Sequence, residues 1–322
     1  MTKLPTRTQA LWRLRTRSLE LGRRTLVMGV VNLTPDSFSD GGRFFDPQNP
    51  AVAIAHCLSL LDEGADILDL GAESTRPGAH AGSLISSPGT EFAPAVSADE
   101  EQARLMPVLR GVLAARPKAI VSVDTYKTAT ARAALAAGAE IVNDVSGFEW
   151  EPGIADVCAE AGCGVVLMHT RGRPEDWHTL RRLASDELIF TVRGGLEASL
   201  SAAVKAGIQP EATVLDPGYG FGKRSDENYA LLDRQAELLS LGRPLLAGLS
   251  RKSFLGRTLA PLYSGQQTKS EWGPTAPVDA RETASIAALV AAILHGASIV
   301  RVHAVRPAVE AALIADAIVA AG

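Results

Sequence analysis

Val27-Met28-Gly29-Val30-Val31 runs directly into Asn32-Leu33-Thr34-Pro35-Asp36-Ser37-Phe38-Ser39-Asp40-Gly41-Gly42. A short apolar run followed by a loop rich in Asn, Ser, Asp and Gly reads as a buried strand that delivers polar groups at its C-terminal end, where α/β proteins put chemistry. A solvated connector is the plainer reading of such a loop, and the rest of the chain decides against it. One pattern repeats: an alanine-rich helix, a Gly at its end, then a short β-branched run. It appears as Gly64-Ala65-Asp66 before Ile67-Leu68-Asp69-Leu70, Gly138-Ala139-Glu140 before Ile141-Val142, Gly162-Cys163-Gly164 before Val165-Val166-Leu167-Met168, and Gly296-Ala297-Ser298 before Ile299-Val300-Arg301-Val302. Such glycines suit left-handed helix C-caps, and nearly continuous apolar strands need cover on both faces, as in a parallel sheet. With Val27–Val31, Ile120–Val123, Val214–Leu215 and Leu245–Ala247 the pattern predicts eight strands with helices between them, an α/β fold in the form of a single TIM (β/α)8 barrel. A doubly wound open sheet is the alternative; it normally uses fewer strands and a Gly fingerprint at the first turn.

Length does not by itself separate one domain from two at 322 residues, since barrels of this size form one domain. The expected division is an N-terminal extension over 1–23 and a barrel over 24–322. The first 24 residues hold seven basic side chains (Lys3, Arg7, Arg13, Arg15, Arg17, Arg23, Arg24) against one acidic. They lack the apolar core of a secretory peptide, and a transit peptide is a weaker reading than a hairpin, Arg17 to Leu21 turning at Gly22, that closes the bottom of the barrel. A net charge of −4 leaves no nucleic-acid footprint, and the longest apolar runs, such as Ile286 to Leu294, are too short to span a bilayer. Cys57, Cys158 and Cys163 have no metal-ligand spacing and read as reduced core thiols of a cytoplasmic protein. His80 to Ala98 and Tyr263 to Pro277 lack periodicity and read as long, mobile βα loops.

Each predicted strand ends in polar groups, which a barrel would bring to one face: Asn32; Asp69 and Glu73; Asp124; Asn143 and Asp144; Met168 and His169; Asp216; Ser250, Arg251 and Lys252; Arg301 and His303. A lone polar residue at a strand end is commonly a cap or a loop anchor, but eight in register are not explained that way. Carboxylates and an amide suit the donor edge of a flat heterocycle, and cations suit a diphosphate. Arg301 and His303, two apart on a strand, share a face. Gly218 to Lys223 invites a P-loop reading, which fails because the glycine spacing is wrong and Arg224 follows the Lys.

Residues 32–42 closely resemble the opening signature of the dihydropteroate synthases, with Leu33 where that family usually has Val. Glu73-Ser74-Thr75-Arg76-Pro77-Gly78-Ala79, Ser122-Val123-Asp124-Thr125-Tyr126-Lys127, Ile141-Val142-Asn143-Asp144-Val145, Leu215-Asp216-Pro217-Gly218-Tyr219-Gly220-Phe221-Gly222-Lys223 and Leu249-Ser250-Arg251-Lys252-Ser253-Phe254-Leu255-Gly256 resemble further motifs of the same family. The resemblance implies condensation of a hydroxymethyl-dihydropterin diphosphate with 4-aminobenzoate in folate biosynthesis, with Mg²⁺ as cofactor and Asn32 as its protein contact. It implies pterin contacts for Asp124, Asn143 and Asp216 with Met168 lining the pocket, a place in the substrate site for Gly248, and Lys252 on the pterin carbonyl side bordering the aminobenzoate. Ser250 would meet the aminobenzoate carboxylate. Thr75, Arg76 and Pro77 would close over that substrate, with Phe221 and Phe38 as walls. Arg301 and His303 would hold the departing diphosphate while the loop bearing Asp40, together with Arg76, covers the site. Ala304 stands where the family usually has Asp, which removes an orienting carboxylate. The partners expected are these two small molecules and a second copy of the chain, packed through the alanine-rich helices 281–295 and 307–321, with no nucleic acid and no membrane.

Two other functions compete. A pterin-dependent methyltransferase acting on a corrinoid would keep the barrel and the Asp/Asn contacts but lack the Ser-Arg-Lys, Ser-Thr-Arg-Pro and Arg-x-His groups. A catalytically silent paralogue could keep most motifs, and Ala304 and the long 80–98 loop are the features in its favour.

Overall fold

A computed structural model describes residues 7, 9–34, 49–73, 96–151, 153–270 and 273–321. Asp36–Gly42 with Phe38 and Asp40, Thr75, Arg76 and Pro77, and nearly all of the 80–98 segment lie outside the described residues, so the expectations placed on them are not taken up by the geometry below.

The chain opens with a hairpin, β1 (Ala10–Arg13) against β2 (Ser18–Leu21), and then alternates strands and helices. These are β3 (Leu26–Asn32), α1 (Ala51–Asp62), β4 (Ile67–Gly71), α2 (Ala98–Ala115), β5 (Val121–Asp124), α3 (Thr128–Ala136), β6 (Ile141–Asp144), α4 (Gly153–Ala161), β7 (Gly164–Met168), α5 (Ser185–Ala206), β8 (Thr213–Asp216), α6 (Ser225–Asp233), β9 (Leu245–Ala247) and α7 (Ser253–Leu259). A two-stranded ribbon, β10 (Thr268–Ser270) with β11 (Gly273–Thr275), precedes α8 (Glu282–Leu294), β12 (Ala297–Val302) and α9 (Val305–Ala321). The eight long-range strands close in the order β12-β3-β4-β5-β6-β7-β8-β9, a TIM barrel, as the repeated Gly-strand pattern predicts. Gly64, Gly138, Gly162 and Gly296 all have positive φ, the backbone state that ends a helix without a Cβ clash.

Strand side chains alternate between the barrel interior and the helical layer. Leu26, Met28, Ile67, Ile141, Val166, Val214, Leu246 and Ile299 form the inner cluster, while Val27, Val31, Leu68, Leu70, Val142, Leu167 and Val300 belong to the outer core under the helices. Two residues beyond the inner cluster on each strand lie the next inward positions. The architecture thus aims Asp69, Asn143, Met168, Asp216, Gly248 and Arg301 into the mouth.

The hairpin seals the opposite end. Trp12, Leu14 and Leu21 pack into the inner cluster from below, and the Trp12 indole donates to the Ala212 carbonyl at 2.9 Å. Its turn lies between Leu14 and Arg17, whose backbone groups bond at 2.8 Å, and not at Gly22 as expected; β2 ends at Leu21 and Gly22 leads out toward β3. Several basic residues of this region are tethers. Arg7 pairs with Asp316 at 2.7 Å, Arg24 with Asp66 at 2.5 Å, and Arg17 with the buried Glu140 at 3.4 Å. The 263–277 stretch is also more ordered than its composition suggests: it carries the β10–β11 ribbon, and the Ala276 amide donates to the Gly256 carbonyl at 2.9 Å.

Trp12 has no exposed surface, so Trp12→Ala should lower stability by about 3–5 kcal/mol. Denaturant melts of the two proteins check the loss.

Candidate active site

At the C-terminal ends of β4, β5 and β12 one guanidinium is set between two carboxylates. Arg301 donates from Nε to Asp69 Oδ2 at 2.6 Å and from Nη2 to Asp124 Oδ2 at 2.7 Å. Asn143 donates its Nδ2 to the same Asp69 oxygen at 3.0 Å. Parallel register makes this meeting possible, since Gly71 pairs with Asp124 and Asp124 with Asn143 across three adjacent strands. On its own strand Asp216 follows Val214 inward, and its Oδ1 accepts the Gly218 amide at 2.7 Å, leaving the carboxylate poised at the turn into the next loop.

Bare backbone opens a slot between these groups. A Cβ at Gly248 would lie 3.7 Å from Asp216 Oδ2 and 4.0 Å from Arg301 Cβ, and one at Gly71 would lie 3.5 Å from Asp124 Cβ. Met168 forms one apolar wall with Tyr126 and Val145, against which Trp150 and Phe221 pack. Lys252 sits with Nζ 4.0 Å from the Phe221 ring centroid, a cation–π contact beside the Asp216 loop. The loop before it is held in an unusual conformation: Arg251 has φ 57°, its amide donates to the Ser285 hydroxyl at 2.8 Å, and its carbonyl accepts from Arg281 at 3.0 Å. A non-glycine residue in the left-handed region persists where its surroundings over-determine it, and here Ser285 of α8 and Arg281 just before it do so. Ser250 and His303 meet: the Ser250 hydroxyl oxygen lies 3.0 Å from His303 Nδ1 and accepts the His303 amide at 3.2 Å.

Electrostatics follow from burial. Removal from water pushes the Asp124 carboxyl up to about 7, Arg301 pulling it back and Asp69 adding to the rise. Asp216 is likewise raised by burial, against the Gly218 hydrogen bond and the nearby Lys252. For Arg301 burial opposes the charge, and the fields of Asp69 and Asp124 more than offset it, so the guanidinium stays cationic.

At the strand ends the mouth therefore gathers Asn32, Asp124, Asn143, Met168, Asp216, Gly248, Ser250, Lys252, Arg301 and His303, with Phe221 beside Met168 and Lys252, while Asp40, Thr75, Arg76 and Pro77 lie outside the described residues. Three members of the strand-end series face elsewhere. Asp144 points outward and accepts from the Ser146 and Phe148 amides at 2.7 and 2.9 Å, a turn anchor. His169 lies against α5, where a Cβ at Gly195 would come within 2.5 Å of its ring. Glu73 accepts from Lys127 in a buried cluster that also includes Glu101, and takes the Val96 amide at 3.2 Å. Asp69, by contrast, earns a larger place than its bare mention in the sequence: fully buried, it fixes both Arg301 and Asn143 through one oxygen, while Oδ1 has no hydrogen-bond partner among the described residues. Its place two residues after Ile67 on β4 gives it inward parity once the barrel closes.

A (β/α)8 barrel whose mouth couples buried carboxylates and an amide to a guanidinium and a lysine is built for a flat, donor-rich ring carrying an anionic substituent. Residues 28–303 match the family described as pterin binding enzyme, and the chain belongs to that family. Within it, the chain is 42% identical over 300 residues to the dihydropteroate synthase of Mycobacterium leprae, covering 92% of this chain and 94% of that one. The dihydropteroate synthase of Yersinia pestis, solved with a sulfonamide drug complex, superposes with a TM-score of 0.81 at 36% identity over 96% of this chain and 98% of its own. That of Xanthomonas albilineans, solved with 4-aminobenzoic acid, gives 0.77 at 38% identity over 97% and 98%. The activity that goes with this membership is dihydropteroate synthase, a transferase that forms a C–N bond in folate synthesis.

Only an ionised Asp124 offers both oxygens as acceptors, and its raised value means that a ligand needing that form must displace a proton when it binds at mildly acidic pH. Affinity for a pterin should therefore decline as the pH falls below about 7, by up to about tenfold per unit. Asp124→Asn should bind at least about tenfold more weakly, through loss of an ionised acceptor, and show a shallower slope, what remains coming from Asp216, which burial also raises. Calorimetry in two buffers of different ionisation enthalpy reads both the affinity and the proton.

Proposed function

We propose that the barrel mouth divides into a pterin slot, an aminobenzoate wall and a diphosphate edge. Asp124, Asn143 and Asp216 face the slot, and an unpaired donor of the buried ring would cost about 1–3 kcal/mol; Met168 closes one face. Phe221 and Lys252 line the second subsite, with the Ser250 hydroxyl directed at the aminobenzoate carboxylate. Thr75 and Pro77 belong to this subsite by resemblance. Arg301, with Nε and Nη2 held by carboxylates, offers Nη1 to the diphosphate, and His303, buttressed by Ser250, stands two residues further along the same strand. Asp40 and Arg76 complete this edge by resemblance.

In the reaction the aniline nitrogen attacks the pterin methylene, the C–O bond to diphosphate breaks with its electron pair leaving on the diphosphate, and the new ammonium gives up its proton to water or to the departing diphosphate. The aniline is already nucleophilic, so no general base is assigned; the chain's work is to orient two rings and to stabilise charge on the leaving group. Among the described residues no three His, Cys, Asp or Glu side chains could hold a metal together. Asn32, half-buried at the end of β3, fits a Mg²⁺ held chiefly by diphosphate oxygens and water with one protein contact. When bound, that ion would neutralise charge on the diphosphate.

The observation that carries this reading is the convergence of Asn143 and Arg301 on one oxygen of Asp69, with Asp124 held by the same guanidinium. Turnover of the pterin diphosphate with 4-aminobenzoate, followed by diphosphate release, tests it directly. Arg301→Lys keeps a charge but cannot bridge two carboxylates while presenting an edge to an anion. Its kcat should fall by about 10²-fold, the order for losing one preorganised donor; an unchanged kcat would remove Arg301 from the reaction.

The same reading includes a homodimer and a cytoplasmic setting. Leu313, Ile314 and Ile318 leave 60%, 65% and 46% of their surfaces exposed on α9, which packs on α8, an apolar face suited to a second copy. Cys57, Cys158 and Cys163 are buried free thiols, in keeping with a reducing compartment, and no described helix is long and apolar enough to cross a membrane. Ile314→Glu should convert a dimer to a monomer in sedimentation at micromolar concentration, whereas an unchanged sedimentation coefficient would place any interface elsewhere.

A further inference from the structure

The Gly218–Lys223 run has the look of a phosphate loop but the opposite polarity. In a phosphate loop the backbone amides converge on an anion; here backbone carbonyls converge on a cation. Lys223, 2% exposed, places its Nζ 2.7 Å from the Gly218 carbonyl oxygen, 3.2 Å from that of Phe221 and 3.2 Å from that of His169. The first two belong to the loop after β8 and the third to the end of β7, so one ammonium ties two neighbouring strand ends together. Gly218, Gly220 and Gly222 all have positive φ, and the close approach admits nothing larger at the first: a Cβ on Gly218 would sit 1.9 Å from the His169 oxygen. Between the second and third of these glycines stands Phe221, whose ring carries the Lys252 ammonium at 4.0 Å and meets Trp177 edge-on at 5.5 Å.

We infer that Lys223 is a positioning residue for the aminobenzoate subsite: by holding the Phe221 and Gly218 carbonyls against β7, it sets the Phe221 ring and, through it, the Lys252 ammonium. The inference rests on the assignment of Phe221 to the aminobenzoate wall. Three acceptors match the three protons of an ammonium, a form that burial disfavours, lowering Lys223 to about 7, and that Asp216 supports; a methionine of similar length would leave the His169 and Phe221 carbonyls without this donor and the Gly218 carbonyl with only the Phe221 amide at 3.2 Å. Lys223 is turned away from phosphate by its own cage, so its contribution falls on the geometry of one wall and not on leaving-group charge.

The test separates positioning from bulk stability. Lys223→Met, and Lys223→Gln, which keeps two donors, are prepared with 4-fluorophenylalanine at position 221. The ¹⁹F line, single and narrow in the parent, should broaden or split in both variants, KM for 4-aminobenzoate should rise about tenfold, with the smaller rise in Lys223→Gln, and calorimetric affinity for a pterin should change less than about twofold, against the ~1.4 kcal/mol of a tenfold step. An unchanged ¹⁹F line overturns the inference. A parallel loss of pterin affinity and aminobenzoate affinity also overturns it, since Lys223 would then be a general prop of the mouth. If the line broadens while KM stays put, Lys223 holds Phe221 but Phe221 is not an aminobenzoate wall, and the subsite assignment is what fails. Should Lys223→Met not fold, Lys223→Gln decides by the same readings.

Discussion

A guanidinium carries one positive charge, and at the mouth of this barrel it is set against two carboxylates. Asp69 and Asp124 come from adjacent strands and Arg301 from a strand on the far side of β3. The cluster is therefore short of one positive charge while it stays buried. Burial and Asp69 push Asp124 upward as a consequence, which leaves a frame that hydrogen-bond donors from outside would complete. A polar ring entering such a site replaces the water that the carboxylates have lost, which converts an unfavourable burial into recognition. The same frame orients Arg301 and Asn143 without help from solvent, because both reach one oxygen of a residue that is itself immobilised within a strand.

Around this frame the barrel divides labour between its ends. The bottom is closed by aromatic and aliphatic packing of the hairpin, with arginines tethered at the rim, and it holds no group that the chemistry uses. The top is kept open by Gly71 and Gly248 and is stiffened by loops that are locally unfavourable, such as the left-handed Arg251 and the glycine-rich turn around Lys223. Stability and function thus lie at opposite ends of the same strands, as the fold usually arranges them.

Much of this was legible in the chain. Gly followed by a short β-branched run marks where each helix stops and a strand begins, through backbone sterics that act within a few residues. Four such runs and four further apolar runs, with helices between them, define a closed parallel barrel, because each strand needs cover on both faces. The residue types at the strand ends were equally plain, since carboxylates, amides and cations directly after apolar strands have few structural uses in such numbers.

Which member of each polar pair faces the mouth was not legible. Asn143 and Asp144, or Met168 and His169, follow apolar runs without alternation, for a strand buried on both faces writes no period into its sequence. Closure of the barrel decides the parity: Asn143 and Met168 turn inward, and Asp144 and His169 go to the helical layer. Glu73 is drawn off by Lys127, and Lys223 by three carbonyls, because partners distant in sequence arrive only when the strands are in register. By itself, the sequence determined the elements, their order and the chemical inventory, all of which depend on short-range sterics and hydrophobicity. Tertiary structure alone decided which charges meet, since pairing Arg301 with Asp69 across 232 positions requires the closed sheet that brings the last strand beside the first.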